Sequence, residues 1–296
     1  MRKELLLVFL AIAVGTASFF WQKKSVEKRV PEDPPASLTQ TFSPQNTERA
    51  PHPHSLPALM AKDFAGDKLR LGQVLQTNEA YTRYAITYQS EGFEISGIMN
   101  IPHGEGPFPV LLLNHGYIDP EVYQRGQGLR REQDYFARRG YAVLHSDYRN
   151  HAFSDKDPEN DTKPRTGYTE DVINAAMAIK KSDLKMLDRE RIGMLGHSMG
   201  GGVAINVMVT KPDLIKAVVL YAPINADYRK NFDRWVASEM ADIAERTLAK
   251  YGTFEENPEF WQSVSAVNYL DRVTAPIMIH QGTADKDVPV EWSREL

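Results

Sequence analysis

The sequence predicts an α/β fold, a mostly parallel sheet with helices on both faces and a helical cap inserted late in the chain. Three observations carry this expectation. Strand-like and helix-like segments alternate through the middle of the chain. Residues 109–114, Pro-Val-Leu-Leu-Leu-Asn, form a short continuous apolar run, the pattern of a central strand buried on both faces. Gly196-His197-Ser198-Met199-Gly200 stands between a strand-like segment, 191–195, and a helical one, 203–210. Alternation of this kind builds a parallel sheet, and ligands bind at the carboxyl ends of its strands.

Taken in order, residues 81–89 and 93–101 read as two strands joined by a tight turn at Ser90-Glu91-Gly92. The buried strand 109–114 follows, then a helix over 129–139 stopped by Gly140, then a strand at 141–145. Thr169 is placed to cap a helix whose Val172, Ala176 and Ile179 share one face. Beyond the serine segment come strands at 217–220 and 277–279, and a helix beginning near Pro289. Between 223 and 268 the alternation stops. Residues 231–250 read as one long helix with Phe232, Val236, Met240 and Ile243 on one stripe, among aromatics at Tyr228, Trp235, Tyr251, Phe254, Phe260 and Trp261. An insertion there, about 225–268, is expected to sit over the carboxyl ends of the strands as a cap. Glu255-Glu256 reads as a solvated acidic turn.

The 296 residues are 42% hydrophobic, enough for one large domain, here 58–296, plus extras. Net charge is −4; residues 1–30 carry six basic and two acidic side chains, so the −4 less this +4 leaves −8 on the remainder. That argues against nucleic acid as a partner. With no cysteine there is no disulfide, thiolate metal site or cysteine nucleophile. Residues 5–21 are mostly apolar behind Arg2-Lys3, about 26 Å long as a helix. Gly15-Thr16-Ala17 would suit cleavage of a signal peptide, whereas Phe19, Phe20 and Trp21 beside Lys23-Lys24 favour an uncleaved signal anchor over 1–21. The expectation is a protein held at the cell membrane with its catalytic domain outside, or secreted if the segment is cut. Residues 22–57 are a proline-rich linker in which His52 and His54 are read as solvated rather than metal-binding.

Gly-x-Ser-x-Gly between a strand and a helix is the context of a nucleophile elbow: the sharp turn lifts the Ser198 hydroxyl above the sheet at the start of a helix. His115-Gly116-Tyr117 follows the buried strand, so the backbone N–H groups of Tyr117 and Met199 are the candidate oxyanion hole. His115 itself is expected to orient that loop. Asp285 follows the strand 277–279 and a glycine turn, and is the candidate acid, with Asp287 as runner-up. A histidine base is expected beyond Leu296: no histidine follows Asp285, and of those present His151 is the least unsuitable substitute, while His197 should point away from the serine hydroxyl. The chain is expected to be a fragment lacking a C-terminal strand and helix.

Several stretches together resemble the catalytic domain of the prolyl oligopeptidase family, within the α/β-hydrolase fold. They are Tyr135-Phe136-Ala137-Arg138-Arg139-Gly140-Tyr141-Ala142-Val143, Asp147-Tyr148-Arg149, Asp188-Arg189-Glu190-Arg191-Ile192 leading into the serine motif, and Ala275-Pro276-Ile277 leading to Asp285 and Val288-Pro289. The resemblance covers roughly residues 70–296. It implies Ser198 as nucleophile, Asp285 as acid, a histidine about thirty residues further on, no metal or organic cofactor, and a small peptide or ester as substrate. Such proteins usually carry a β-propeller ahead of the catalytic domain; 22–57 is too short for one, which raises the expectation of a carboxylesterase beside that of a serine peptidase. A membrane-tethered pseudoenzyme is the alternative of another class. Oligomeric state is not legible.

Overall fold

The computed structural model describes residues 50–296. Eight strands form one sheet: β1 (Asp67–Thr77), β2 (Tyr81–Ser90), β3 (Phe93–Pro102), β4 (Phe108–Asn114), β5 (Ala142–Ser146), β6 (Leu187–His197), β7 (Val218–Tyr221) and β8 (Ile277–His280). Their order is β1-β2-β3-β5-β4-β6-β7-β8. The first three strands and β5 pair antiparallel; β5, β4, β6, β7 and β8 pair parallel. This is the α/β-hydrolase architecture expected.

Alternation of side chains along the parallel strands divides the core. Leu112, Leu144, Met194, Val218 and Leu220 face the helices α1 (Leu56–Ala61), α3 (Thr166–Lys180) and α4 (Met199–Thr210) in the main core. Leu113, Val143 and Leu195, the immediate chain neighbours of Leu112, Leu144 and Met194, face the other way and pack with Phe136 and Ala137 of helix α2 (Arg130–Ala137). Val110 and Leu112 pack on one face and Leu111 and Leu113 on the other, which is why 110–113 is apolar throughout. β4 lies between β5 and β6, as a doubly buried strand must.

The cap departs from the single long helix expected over 231–250. α5 (Tyr228–Asn231) runs into a π turn (Phe232–Val236) and a short α6 (Ala237–Glu239); the chain then breaks at Met240, with φ −134° and ψ 57°, before α7 (Ala241–Tyr251) and α8 (Pro258–Ser263). Tyr228, Phe232, Tyr251, Phe260 and Trp261 make a separate hydrophobic core for this region. The helix expected from Thr169 begins earlier, at Thr166; Thr169 is buried inside it and its hydroxyl donates to the Arg165 carbonyl at 2.9 Å. α9 (Val290–Glu295) follows Pro289. At the other end, Ser55 caps α1, so Leu56 and Pro57 belong to a helix rather than a linker. His54 Nδ1 lies 2.7 Å from the Tyr251 hydroxyl, and His52 packs edge-on against Phe260 at 4.8 Å.

The expected membrane localisation needs correction. Among the described residues no helix is long and apolar enough to cross a membrane. Segment 5–21, on which that expectation rested, lies outside the described residues.

Candidate active site

Strand β6 ends at His197 and α4 begins at Met199, so Ser198 is the whole of the turn between them. Its backbone sits at φ 53°, ψ −119°, a conformation that costs an L-residue on the order of 1–3 kcal/mol. Both of its backbone polar groups are tied down. The N–H donates to the Tyr221 carbonyl at the end of β7 (2.9 Å), and the carbonyl accepts from Gly201 (2.9 Å), Ile224 (3.2 Å) and Gly202 (3.3 Å). The flanking glycines are needed for space. A Cβ on Gly196 would fall 2.8 Å from the Gly200 carbonyl carbon, and one on Gly200 would fall 2.5 Å from the Asn114 carbonyl carbon and from the His115 oxygen. Strand, turn and helix can close this tightly only without those side chains.

The loop after β4 passes directly over the turn: a Cβ on Gly116 would lie 3.2 Å from both Ser198 Cβ and His197 Nδ1. His115 fixes that loop from below, fully buried, with Nδ1 donating to the Gly116 carbonyl at 2.7 Å and its ring stacked on Tyr148 at 4.4 Å and on Tyr123 at 4.9 Å. Burial lowers its pKa to about 3, so the ring is neutral. Tyr117 projects from the loop with its ring 54% exposed. Met199 is the first residue of α4, where an N–H has no carbonyl partner within its own helix.

Asp285 is half-buried in the loop after β8. Its Oδ1 accepts from the N–H groups of Asp287 (2.9 Å) and Val288 (3.0 Å), and its Oδ2 from Gln281 Nε2 (3.1 Å). Arg234 of the cap grips the same loop, donating to the carbonyls of Asp287 (2.7 Å) and Lys286 (2.9 Å). Asp287 lines the cavity above Ser198.

The other histidines described are engaged elsewhere. His103 lies 3.0 Å from Thr82 Oγ1. His151, fully buried, has Nδ1 2.9 Å from the Arg149 carbonyl and Nε2 3.2 Å from the Ile118 carbonyl. His145 is sealed in the core with neither ring nitrogen bonded. His280 packs edge-on against Tyr221 at 5.4 Å. Burial lowers the His197 pKa, against the opposing charges of Glu132 and Asp285.

Between the cap and the carboxyl ends of the strands lies a cavity of about 720 Å³, a size suited to a small organic ligand. Ser198, Met199, Tyr117, Arg165 and Tyr168 line it from the body; Tyr228, Trp235, Val236, Met240 and Ile243 line it from the cap. The break at Met240 thus serves to shape a wall. Arg165, Tyr168 and Arg234 had no signal in the sequence, because what they face comes from distant segments. Among the described residues no three His, Asp or Glu side chains converge as metal ligands.

A model of the prolyl oligopeptidase family matches residues 127–296, more than half of the chain. The chain belongs to that family. As a member of the prolyl oligopeptidase family it is 23% identical over 220 residues to Esterase FrsA of Enterobacter sp. (strain 638), an alignment that takes in 71% of this chain and 48% of that one. The chain therefore spans about half the length of that relative. Among solved structures it is similar to acetyl xylan esterase 1 from Thermoanaerobacterium sp. JW/SL YS485, with a TM-score of 0.60, 19% identity and coverage of 82% of both chains. It is also similar to Pyrococcus horikoshii acylaminoacyl peptidase, with a TM-score of 0.59, 21% identity, and coverage of 74% of this chain and 34% of that one. Both likenesses are of fold.

Proposed function

We propose that this protein is a serine hydrolase that cleaves a peptide or ester bond through an acyl-enzyme on Ser198. The observation that carries the reading is the strained Ser198 turn, held at positive φ by four backbone hydrogen bonds and opening into the cavity. In this reading Ser198 Oγ attacks the substrate carbonyl carbon, and the carbonyl oxygen takes up the displaced electron pair. The N–H groups of Tyr117 and Met199 meet that oxyanion, each donor contributing on the order of 3 kcal/mol. A histidine takes the Oγ proton and delivers it to the leaving nitrogen or oxygen as the C–N or C–O bond breaks. Water, deprotonated by the same base, then attacks the acyl carbon and frees Ser198.

Asp285 is the acid that orients the base, its own carboxylate fixed by Gln281 and two backbone N–H groups. His115 and His151 each have both ring nitrogens against backbone carbonyls, so neither is free to serve Ser198 as that base. An ester is the favoured bond, because the relative aligned over 71% of the chain is named an esterase. The test is labelling of the full-length gene product and its Ser198→Ala variant with a fluorophosphonate probe, followed by assays on p-nitrophenyl esters and aminoacyl amides. Labelling and turnover that vanish in the variant support the mechanism. Turnover retained by Ser198→Ala overturns it, and an unreactive wild-type protein supports the pseudoenzyme. Cleavage of amides as well as esters makes it a peptidase.

A further inference from the structure

Three of the inward-facing cations are met by carboxylates. Arg149, only 1% exposed, is met by Asp171 (2.8 Å), Asp157 (3.0 Å) and Glu170 (3.1 Å). Lys163 meets Asp157 at 2.6 Å, and Lys62 meets Glu170 at 2.7 Å. Arg165 breaks the pattern. It is half-buried on the wall of the cavity that Ser198, Tyr168 and Tyr228 also line, with its guanidinium 5.3 Å from the Tyr228 ring centre. Among the described residues no carboxylate pairs with it, and burial pulls its pKa below the ordinary guanidinium value. Its backbone is held at φ 58°; with Ser198 and Asn150 it is one of three non-glycine residues at positive φ on this cavity. An inward cation left without an anion is costly, and a guanidinium offers a rigid fork of donors shaped for a carboxylate.

The acidic residues of the cavity sit elsewhere. Asp119, Asp161 and Glu239 are exposed and gather around the Tyr117 phenol. They make the Tyr117 side of the cavity negative; of the other cations on the lining, Lys163 is paired with Asp157 and Lys156 is exposed, which leaves Arg165 as the inward cation open to an anion. We propose that Arg165 is the anchor for a substrate carboxylate, so that the natural substrate is an ester or amide whose acyl part carries a carboxylate, laid against the Tyr168–Tyr228 wall while its carbonyl lies at Ser198. This rests on the hydrolase reading of Ser198, and it names the substrate class for that site.

The experiment compares two acyl groups of matched length, glutarate monoester and valerate ester. In the full-length gene product, kcat/KM is measured for their p-nitrophenyl esters in wild-type, Arg165→Met and Arg165→Lys proteins. Separately, monomethyl glutarate and methyl valerate are titrated calorimetrically into Ser198→Ala with and without Arg165→Met, which needs no turnover. A charge-assisted bond of this kind is expected to favour the glutarate compound about tenfold to a hundredfold in wild type. Arg165→Met should abolish that preference and Arg165→Lys recover part of it, with thermal melting of each variant recorded alongside. A preference that survives Arg165→Met overturns the proposal. So does an equal loss on both acyl groups together with a lowered melting temperature, which would make Arg165 structural. If neither ester is hydrolysed yet glutarate binding depends on Arg165, the anchor stands and the hydrolase reading falls.

Discussion

Three buried histidines in ring contact around His115 should make this protein steeply acid-sensitive. His115, His145 and His151 are all 0% exposed, with His115 ring centres 5.3 Å from His145 and 5.4 Å from His151. Burial depresses the pKa of each, and for His115 the folded value is about 3 against 6.5 unfolded. A depressed histidine is neutral in both states above pH 6.5, so it costs nothing there. As pH falls below 6.5 the unfolded chain binds a proton that the folded chain refuses, and stability is lost. His115 and His145 each contribute a slope that rises toward about 1.4 kcal/mol per pH unit, together about 3 kcal/mol per unit, and His151 adds in the same direction. His54, lowered to about 4 by burial and by Lys163 and Lys250, adds in the same direction. Asp147 works in the opposite sense, because burial raises its carboxyl, but that acts at the acid end of the range. Urea unfolding at constant ionic strength, at pH 7.5, 6.0 and 5.0, measures the slope directly. His145→Phe keeps a flat ring beside His115 and removes one proton site, so between pH 6 and 5 its slope should be about 1.4 kcal/mol per unit shallower. A wild-type stability that is flat between pH 7.5 and 5.0, or a slope untouched by His145→Phe, would refute the reasoning.

Other changes test the scaffold around Ser198. Gly200→Ala drives a methyl group into the Asn114 carbonyl; overpacking of this kind should cost about 1–3 kcal/mol, read as a lowered melting temperature, and labelling of Ser198 should fall with it. Arg149→Ala leaves Asp171 buried without its cation and should lose about 3–5 kcal/mol in chemical denaturation; Arg149→Lys should recover only part. Asp285→Asn keeps the loop's shape and should lower kcat by a factor on the order of 10⁴ with little change in melting temperature.

The sheet was legible where burial leaves a local mark. The apolar run 109–114 announces a strand covered on both sides, and the glycines around Ser198 announce a junction where a backbone passes too close for side chains. β1 went unread because it is an edge strand: nearly all of Asp67–Thr77 is exposed, and irregular register against β2 removes the alternation that betrays a half-buried strand. The segment 231–250 has a sound helical stripe, yet it is interrupted by a π turn, whose Phe232 and Val236 pack with Tyr251, Phe260 and Trp261, and by the break at Met240, which lines the cavity. Thr169 looked like a cap because its chemistry permits one; the actual start of α3 is set by the left-handed Arg165 before it. Ser198, Asp285, Tyr117 and Met199 could be nominated from motif and chain order, whereas Arg165 could not, since its meaning depends on Tyr228 from another part of the chain.

The two hydrophobic cores on either side of the cavity share no member: one holds β6 and α4, the other holds Tyr228, Phe232, Tyr251, Phe260 and Trp261. A change that repacks the second core therefore transmits little strain to the first. Substitutions in the second core can reshape the roof of this cavity, which Tyr228 and Val236 line, while the Ser198 turn stays as it is. Chimeras that exchange residues 225–268 between relatives are the natural way to move specificity around this family without rebuilding its chemistry.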